Sequence, residues 1–410
     1  MTTIKLDPGA ALLLDALHGA GHAAYAVGGC VRDSLLGQAP HDWDLCTSAR
    51  PEQVMELFGE EKCIPTGLQH GTVTVKQGGR LYETTTFRIE GAYSDGRHPD
   101  AVHFVPDVRE DLARRDFTIN AMAYSAEEGL IDPFGGRGDL AAHLVRAVGE
   151  PERRFEEDAL RILRLYRFAA RFGFSVDPAT GAAARALGPH LDCVSAERIQ
   201  EEMLKLLAAP APGRYLEPAV LAVILPELYP LEEPARFAES CRVIDRLAPG
   251  AENVPARLAA LLLPLGEEGT RKALRRLKCS NALTEETAVL VRETGTSGPA
   301  TDPAVSVRRL LGRYGLTAVE RLAALGAAGH PEQAADFAAR AELARQMEAD
   351  GVCCRIAQLA VNGRDLMAAG AKPGPGLRQL LEQLLEAVIT GQVPNEKQAL
   401  LAAAAQFSAS

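Results

Sequence analysis

The stretch Gly28-Gly29-Cys30-Val31-Arg32-Asp33, with Asp42-Trp43-Asp44 beginning nine residues after it, constrains this chain more than any other. The short apolar run Ala23 to Val27 predicts a strand that delivers two glycines in succession. Neither carries a Cβ, so a bulky ligand such as a triphosphate can approach the backbone closely. Val31 to Leu36 predicts the start of a helix, whose first turn would offer free N–H groups to an anion. Arg32 adds a planar cation suited to phosphate. In an extended segment, residues two apart project to the same side. Asp42 and Asp44 therefore face one ligand while Trp43 turns towards packing. Two close carboxylates that both stay ionised call for a cation, and hard oxygen ligands favour Mg²⁺.

Taken singly, a Gly-Gly pair after a strand is most often a turn, and an Asp-x-Asp is usually solvated surface. In this order and spacing they form a phosphate cradle followed by a metal-binding carboxylate pair, the minimal set of parts for nucleotidyl transfer. GGCVRDSLLG and HDWDLCTSARPE resemble the signature of the class II nucleotidyltransferases of the polymerase-β-like superfamily, the group of the poly(A) polymerases. Within it they resemble the bacterial CCA-adding enzymes, the tRNA nucleotidyltransferases. The resemblance covers almost the whole chain, most specifically residues 25–171. It implies an α+β head of polymerase-β-like nucleotidyltransferase fold followed by an all-α neck, body and tail. It also implies template-independent addition of CCA to the 3′ end of tRNA from CTP and ATP, with release of pyrophosphate. Asp42 and Asp44 would be the catalytic carboxylates and the Mg²⁺ ligands. Gly29, Arg32, Arg115, Asp158, Arg161, Arg164 and Arg167 would bind the nucleotide.

At 410 residues the chain is too long for one core and predicts two to four domains or subdomains. A hydrophobic content of 47% with only 5% aromatic residues fits a soluble, Ala/Leu-rich helical protein. No apolar run approaches the roughly 20 residues needed to span a membrane. Met1 to Asp7 has no signal-peptide pattern, so a cytoplasmic protein is expected. The eight cysteines are scattered and adjacent only at Cys353-Cys354, which predicts reduced thiols with neither a zinc site nor a disulfide framework. A formal net charge of −10 counts against a nucleic-acid binder, although binding needs a local basic face rather than a basic total.

In chain order, residues 8–20 predict an amphipathic helix with Leu12, Leu13, Leu14 and Leu17 on its apolar side. Pro51 to Phe58 predicts another, with Ser48 as N-cap. Residues 72–76 and 81–87 predict paired strands around Gly78-Gly79. Glu83, on the second strand, is either a third carboxylate near the metals or an ordinary charge on an exposed face. Residues 88–105 predict an irregular loop, matching a mobile loop that in the family helps the site change from C to A. In Arg114-Arg115-Asp116-Phe117-Thr118-Ile119-Asn120-Ala121 the arginine pair could simply mark a helix start. The resemblance makes RRDFTINA a nucleotide-contacting motif with Arg115 as its ligand arginine. Ile131 to Gly136, with Asp139-Leu140, is expected to be a structural turn between head and neck.

Glu157-Asp158-Ala159-Leu160-Arg161-Ile162-Leu163-Arg164-Leu165-Tyr166-Arg167 predicts one continuous helix, apolar nearly all round and therefore buried. Asp158 and Arg161, three apart, would share a face, either as an internal salt bridge or as readers of a base edge. Cytosine and adenine each pair an exocyclic amino donor with a ring-nitrogen acceptor. An acceptor-only Asp beside a donor-only Arg would select them over U and G. The family motif EDxxR stands here as Glu157-Asp158-x-x-Arg161, and it implies a protein template.

Ser195 is the expected N-cap of a mainly structural helix closing the neck. The expected divisions are a catalytic head (1–148), a base-selecting neck (149–213), and a body (214–345) and tail (346–410) that bind tRNA. Arg271, Lys272, Arg275, Arg276 and Lys278 form one basic cluster, and Arg308, Arg309 and Arg313 another. Each is either a solvated face or a contact for tRNA backbone. The region Arg257 to Pro264 lacks the His-Asp phosphohydrolase motif that some relatives carry, so that activity is not expected. An A-adding or CC-adding partial enzyme, a poly(A) polymerase and a non-catalytic RNA-binding module stay open as alternatives. The expected partners are tRNA, CTP and ATP, with no DNA and no membrane, in a monomer or homodimer.

Overall fold

Four apolar residues in a row, buried on both faces, build the central strand β1 (Ala24–Val27). It belongs to a computed structural model that describes residues 3–90, 102–228, 234–296 and 302–407. The chain separates into two units, Met1–Pro230 and Leu231–Ser410.

The first unit carries the sheet. Its further strands are β2 (Leu45–Thr47), β3 (Cys63–Gly67), β4 (Thr72–Gln77) and β5 (Arg80–Thr86), then a separate pair β6 (Arg88–Glu90) and β7 (Val102–Phe104), then β8 (Ala123–Ser125) and β9 (Gly129–Ile131), and last a short parallel pair β10 (Leu144–Val145) and β11 (Ser175–Val176). Seven of them form a sheet in the order β3-β4-β5-β2-β1-β8-β9. Only β2 and β5 run parallel in it, with Leu45 opposite Thr84. That register makes Asp44 and Glu83, one residue earlier on each chain segment, neighbours. Tyr25, Val27, Cys46, Phe87, Leu112, Ala121 and Ala123 share one core beneath the strands.

Helix α1 (Pro8–Gly19) starts on Asp7, whose carboxylate accepts the N–H groups of Gly9 and Ala10. Leu13, Leu14 and Leu17 are buried as expected, but Leu12 is 58% exposed, because the helix touches the core along a narrower stripe than its leucines suggest. Helix α2 (Gly29–Leu35) follows the glycine pair, and α3 (Pro51–Phe58) begins on Arg50 rather than Ser48. Ser48 is spent elsewhere: its Oγ accepts the Ala23 N–H at 3.0 Å, tying β2 to β1.

Helix α4 (Val108–Ala113) ends at Arg114, so the arginine pair closes a helix instead of opening one. The rest of RRDFTINA is a buried 3₁₀ turn over Thr118–Asn120. The segment Ile131 to Gly136 is the expected structural turn. The Asp132 carboxylate accepts the N–H groups of Gly136 (2.7 Å) and Arg137 (2.9 Å) at the start of α5 (Gly136–Ala141). Asp139 on α5 then takes the Thr118 hydroxyl at 2.6 Å.

Helices α6 (Pro151–Glu157), α7 (Leu160–Phe172), α8 (Pro178–Ala186), α9 (Ala196–Leu207) and α10 (Pro218–Ile224) complete the unit. The single helix expected across Glu157 to Arg167 is broken at Asp158, which takes an extended backbone (φ −152°, ψ 103°). Its Oδ1 accepts the Leu160 N–H at 3.1 Å, a local bond that competes with helix continuation. Burial around most of α7 is as expected. Ser195 occupies the N-cap position of α9, but its side chain makes no capping bond.

Among the described residues the second unit is all helix, ten α-helices from Pro234–Arg246 to Lys397–Phe407. One of its cores joins Val307, Leu311, Val319, Ala344 and Met347, and another Leu366, Leu380, Leu384, Val388 and Leu400. Its basic clusters are interleaved with acceptors. Arg271 pairs with Glu267 (2.7 Å) and Glu285 (3.0 Å), Arg309 pairs with Glu386, and Arg308 donates to the Ile389 carbonyl at 3.0 Å. Among the described residues no helix is long and apolar enough to cross a membrane.

The turn before α5 makes a clean test of packing. A Cβ on Gly136 would lie 2.2 Å from the Thr118 carbonyl oxygen, while one on Gly138 would meet nothing within 4 Å. Gly136→Ala is expected to destabilise by roughly 1–3 kcal/mol through overpacking. Gly138→Ala, inside the same helix, should be neutral or stabilising by up to about 1 kcal/mol. Urea-unfolding midpoints of the two variants check this, and equal midpoints would show that the turn yields to a methyl group.

Candidate active site

The end of β1 and the start of α2 meet at Gly28, whose φ of +77° lies in the region that side chains disfavour. A Cβ there would also fall 2.9 Å from the Arg115 Nη1. Glycine thus serves twice: it turns the chain and lets a guanidinium lie against the backbone. The Gly28 N–H donates to the Met122 carbonyl at 3.1 Å, which fastens the cradle to the residue directly after the RRDFTINA segment.

These elements open on a cleft of about 420 Å³. Its lining brings together Gly28, Gly29, Arg32, Asp44, Arg115, Asp158, Arg161, Arg164 and Arg167, all singled out from the sequence. Arg114, Arg171 and Arg198 raise the arginines to eight, against three aspartates, Asp44, Asp116 and Asp158. A chain of net charge −10 therefore concentrates positive charge in one concave place, which focuses field on an anion.

Each guanidinium is held by neighbours. Buried Arg32 donates to Asp33 at 2.8 Å and to the Asn120 side chain. Arg164 forks onto Asp116 at 2.9 and 2.6 Å, and Arg167 pairs with buried Glu202 from α9. Asn120 donates to Asp116 at 3.0 Å, so one amide bridges the Arg32 and Arg164 groups. Burial alone would raise the Asp116 carboxyl, but the Arg164 charge, the Asn120 hydrogen bond and Arg161 hold it at about 2. It stays ionised, and its stabilising pairing is lost only as pH falls below the ordinary carboxylate range towards 2.

Asp158 and Arg161 both face the cleft, but they do not pair with each other. Arg198 on α9 binds the Asp158 Oδ2 at 2.8 Å. Arg161 is buried and donates to Glu157 (2.7 Å) and to the carbonyls of Arg154 (3.0 Å) and Arg114 (3.1 Å). The internal salt bridge considered from the sequence is absent from the described contacts. Helix α9, expected to be mainly structural, supplies Arg198 and Glu202 to this wall.

Asp42 and Asp44 lie in the extended segment entering β2, both exposed, with Trp43 between them buried. The Asp44 carboxyl is pushed up by partial burial and by the neighbouring Glu83 and Asp42 charges, with Arg115 opposing. Asp44 thus has two further carboxylates near it, Asp42 and Glu83, and oxygen donors of this kind suit a hard cation. Among the described residues no three such groups close into a ready-made cage. Mg²⁺ fits that openness, since it keeps waters and takes one or two carboxylates together with substrate phosphates. Glu83 stands beside the pair, on the exposed face of β5.

The loop expected over 88–105 has ordered ends. Strands β6 and β7 pair antiparallel with Arg88 opposite Phe104 and Glu90 opposite Val102. Residues 91–101 lie outside the described residues. At the base of this ladder the buried Asp111 carboxylate accepts the Arg88 N–H at 3.3 Å and the Arg114 guanidinium at 2.8 Å.

Sequence reasoning missed Asp116, Asn120, Phe168, Arg171, Arg198 and Glu202. Asp116 and Asn120 stood inside a motif already noticed. Phe168 and Arg171 continue the i, i+4 spacing of Arg164 and Arg167 along α7, a signal that was present. Arg198 and Glu202 join the site only through tertiary packing of α9 on α7.

Three family profiles match in order. They are the poly A polymerase head domain over residues 24–146, the RNA and SrmB-binding site of polymerase A over 173–231, and tRNA nucleotidyltransferase domain 2 over 252–404. The CCA-adding enzyme of Limosilactobacillus fermentum is 37% identical over 400 residues, 96% of each chain. That of Geobacillus stearothermophilus is 37% identical over 388 residues, 93% of this chain and 92% of the relative. Among solved structures, the Bacillus stearothermophilus CCA-adding enzyme in complex with CTP matches with a TM-score of 0.79 at 33% identity, covering 98% of both chains. The Thermotoga maritima CCA-adding enzyme complexed with tRNA shares the fold, with a TM-score of 0.69 at 20% identity. Identity of this extent over nearly the full length of both chains, on a fold that carries the expected cleft, shows that the chain belongs to the family of CCA-adding enzymes.

Proposed function

We propose that this chain adds CCA to the 3′ end of tRNA from CTP and ATP, releasing pyrophosphate, with the arginine-lined cleft as its nucleotide site. The observation that carries the reading is the convergence in one cleft of the Gly28-Gly29 turn, the Asp44 carboxylate and a wall bearing Asp158 and Arg161. A module that only bound RNA would have no use for carboxylates beside a phosphate cradle.

In this reading the 3′-hydroxyl of tRNA attacks the α-phosphorus of the nucleotide, an oxygen–phosphorus bond forms, and the bond to pyrophosphate breaks. The backbone at Gly28 and Gly29, with Arg32 and Arg115, holds the triphosphate. Asp42 and Asp44 would hold Mg²⁺, which supplies charge stabilisation for the attacking and leaving oxygens. Arg164 and Arg167 carry positive charge along the same wall. Asp158 accepts from the exocyclic amine of C or A. Each of its oxygens makes one bond within the protein, and an ionised carboxylate has about four lone-pair sites, so acceptor capacity remains. Arg161 spends three N–H bonds on Glu157 and two carbonyls and has five donors in all, so it can still offer one to the ring nitrogen. We assign the catalytic head to residues 1–148, the base-selecting neck to 149–213, and tRNA contacts to the body (214–345) and tail (346–410).

The direct test incubates the protein with tRNA lacking CCA and supplies CTP alone, ATP alone, or both. The full enzyme adds CC with CTP alone and CCA with both nucleotides; a product that stops at CC with both present would mark a CC-adding enzyme, and extension only of tRNA already ending in CC would mark an A-adding one. In the same assay Asp42→Ala and Asp44→Ala are expected to lose CMP and AMP addition together, by about a hundredfold or more. That corresponds to several kcal/mol of lost charge stabilisation at a factor of ten per ~1.4 kcal/mol. Binding of tRNA, followed by filter retention, should change little; near-normal turnover in both variants would sink the carboxylate assignment.

Base choice is tested at Asp158. A polar group left unpaired in a closed site costs roughly 1–3 kcal/mol, or about ten- to a hundredfold in discrimination. Asp158→Ala and Arg161→Ala should therefore accept UTP or GTP better relative to CTP and ATP. The measurement is kcat/KM for all four nucleoside triphosphates. Parallel loss across the four with unchanged ratios would reduce both residues to supports of the α6–α7 junction.

A further inference from the structure

The eight arginines of the cleft repel one another, and each has a carboxylate partner that offsets part of that repulsion. A second restraint is visible along α7. The Arg167 guanidinium lies over the Phe168 ring, 4.0 Å from its centroid, and those of Arg32 and Arg164 lie 5.5 Å from the same centroid. One turn further, Phe172 lies parallel to Phe168 (3°, 6.2 Å) and takes Arg32 at 4.8 Å and Arg171 at 5.0 Å. The two phenylalanines and the arginines at 164, 167 and 171 recur at three- and four-residue steps on one helix, and Arg32 comes from α2.

The two restraints differ in what they leave behind. A carboxylate fixes a guanidinium by occupying its N–H groups and cancelling its charge. An aromatic face attracts the cation through its quadrupole and takes no N–H at all. A guanidinium held over a ring therefore keeps its charge, and the N–H groups that its carboxylate partner does not take remain for the oxygens of a ligand. Phe168 is suited to this because it is itself immobile. It is only 5% exposed, lines the cleft, and is wedged edge-on against Phe117 of the RRDFTINA segment (5.8 Å, 78°).

We infer that Phe168 is a positioning residue for nucleotide binding, its ring holding Arg32, Arg164 and Arg167 in place as charged, donor-rich groups facing the triphosphate. This rests on the reading that the cleft takes CTP and ATP. The role is distinct from core filling, for which a leucine of similar bulk would serve.

Replacing Phe168 with mono-, di- and trifluorinated phenylalanine drains the ring quadrupole stepwise at nearly constant shape. The Kd of CTP and of ATP, and their KM in tRNA extension, are expected to rise with each fluorine. The trifluoro variant should reach roughly 5- to 30-fold, the range of partly desolvated cation–π contacts. kcat should fall by a smaller factor than KM rises, and Tm should move by no more than about a few degrees. Phe168→Leu should resemble the trifluoro variant, and Phe168→Trp should recover much of the affinity. Flat Kd and KM across the fluorinated series would overturn the inference and leave Phe168 as core. Arg164→Ala and Arg115→Ala in the same binding assay separate the two levels. If they weaken CTP binding while fluorination does not, only the role of Phe168 fails; if neither they nor fluorination changes CTP binding, the nucleotide-site reading fails with it.

Discussion

The constraint on which this site depends is the mutual repulsion of many guanidinium groups in a small volume. Bringing eight arginines to one cleft is useful for a polyanionic ligand and costly without it. The fold meets the cost with acceptors on several elements: buried Asp33 on α2, Asp116 beside the 3₁₀ turn and Glu202 on α9, and half-buried Glu157 on α6. Asp116 is the pivot, because it is fully paired with Arg164 and Asn120 and so remains ionised far below neutral pH. Removing one partner of such a buried pair would strand the other, which costs more than the pair contributes when intact.

This arrangement explains why the site spans so much sequence. Arg32 and Asn120 are 88 residues apart, Arg164 and Asp116 are 48 apart, and Arg198 and Asp158 are 40 apart. The cradle, the RRDFTINA segment and the helices α7 and α9 are tied by polar bonds with little freedom of direction, set on an apolar core that fixes distance but not orientation. Apolar packing tolerates small slips; a forked guanidinium–carboxylate pair does not. The polar network thus fixes the geometry of the cleft, and the sheet beneath it provides the foundation.

Much of this was legible in the sequence, for identifiable reasons. The strand before Gly28, the alternation Asp42-Trp43-Asp44 and the burial of α7 each follow from local periodicity, which survives into the fold. The break at Asp158 was missed because helix propensity summed over a window outweighs one residue. Asp158 bonds the Leu160 N–H instead of continuing the helix, and this frees it to meet Arg198. Leu12 was misplaced because a leucine run is wider than the stripe that a helix buries. Ser48 was misread as a cap because its hydroxyl is claimed by a strand partner 25 residues away. Arg198 and Glu202 carried no local mark, since what makes them part of the site is the face α9 turns to α7.

The same contrast separates the two halves of the chemistry. The carboxylates at 42 and 44 sit on an exposed extended segment, restrained chiefly by buried Trp43 and by strand pairing that begins one residue later. The arginine wall is pre-organised before any ligand arrives. A site built this way has its arginine half held by paired acceptors and its carboxylate half open, with burial and the nearby Glu83 and Asp42 charges pushing the Asp44 carboxyl up. On the proposed reading a cation would offset the carboxylate crowding at Asp44 and a triphosphate would offset that of the arginines, so each would favour the other's binding. Each ligand alone would leave one of the two repulsions standing.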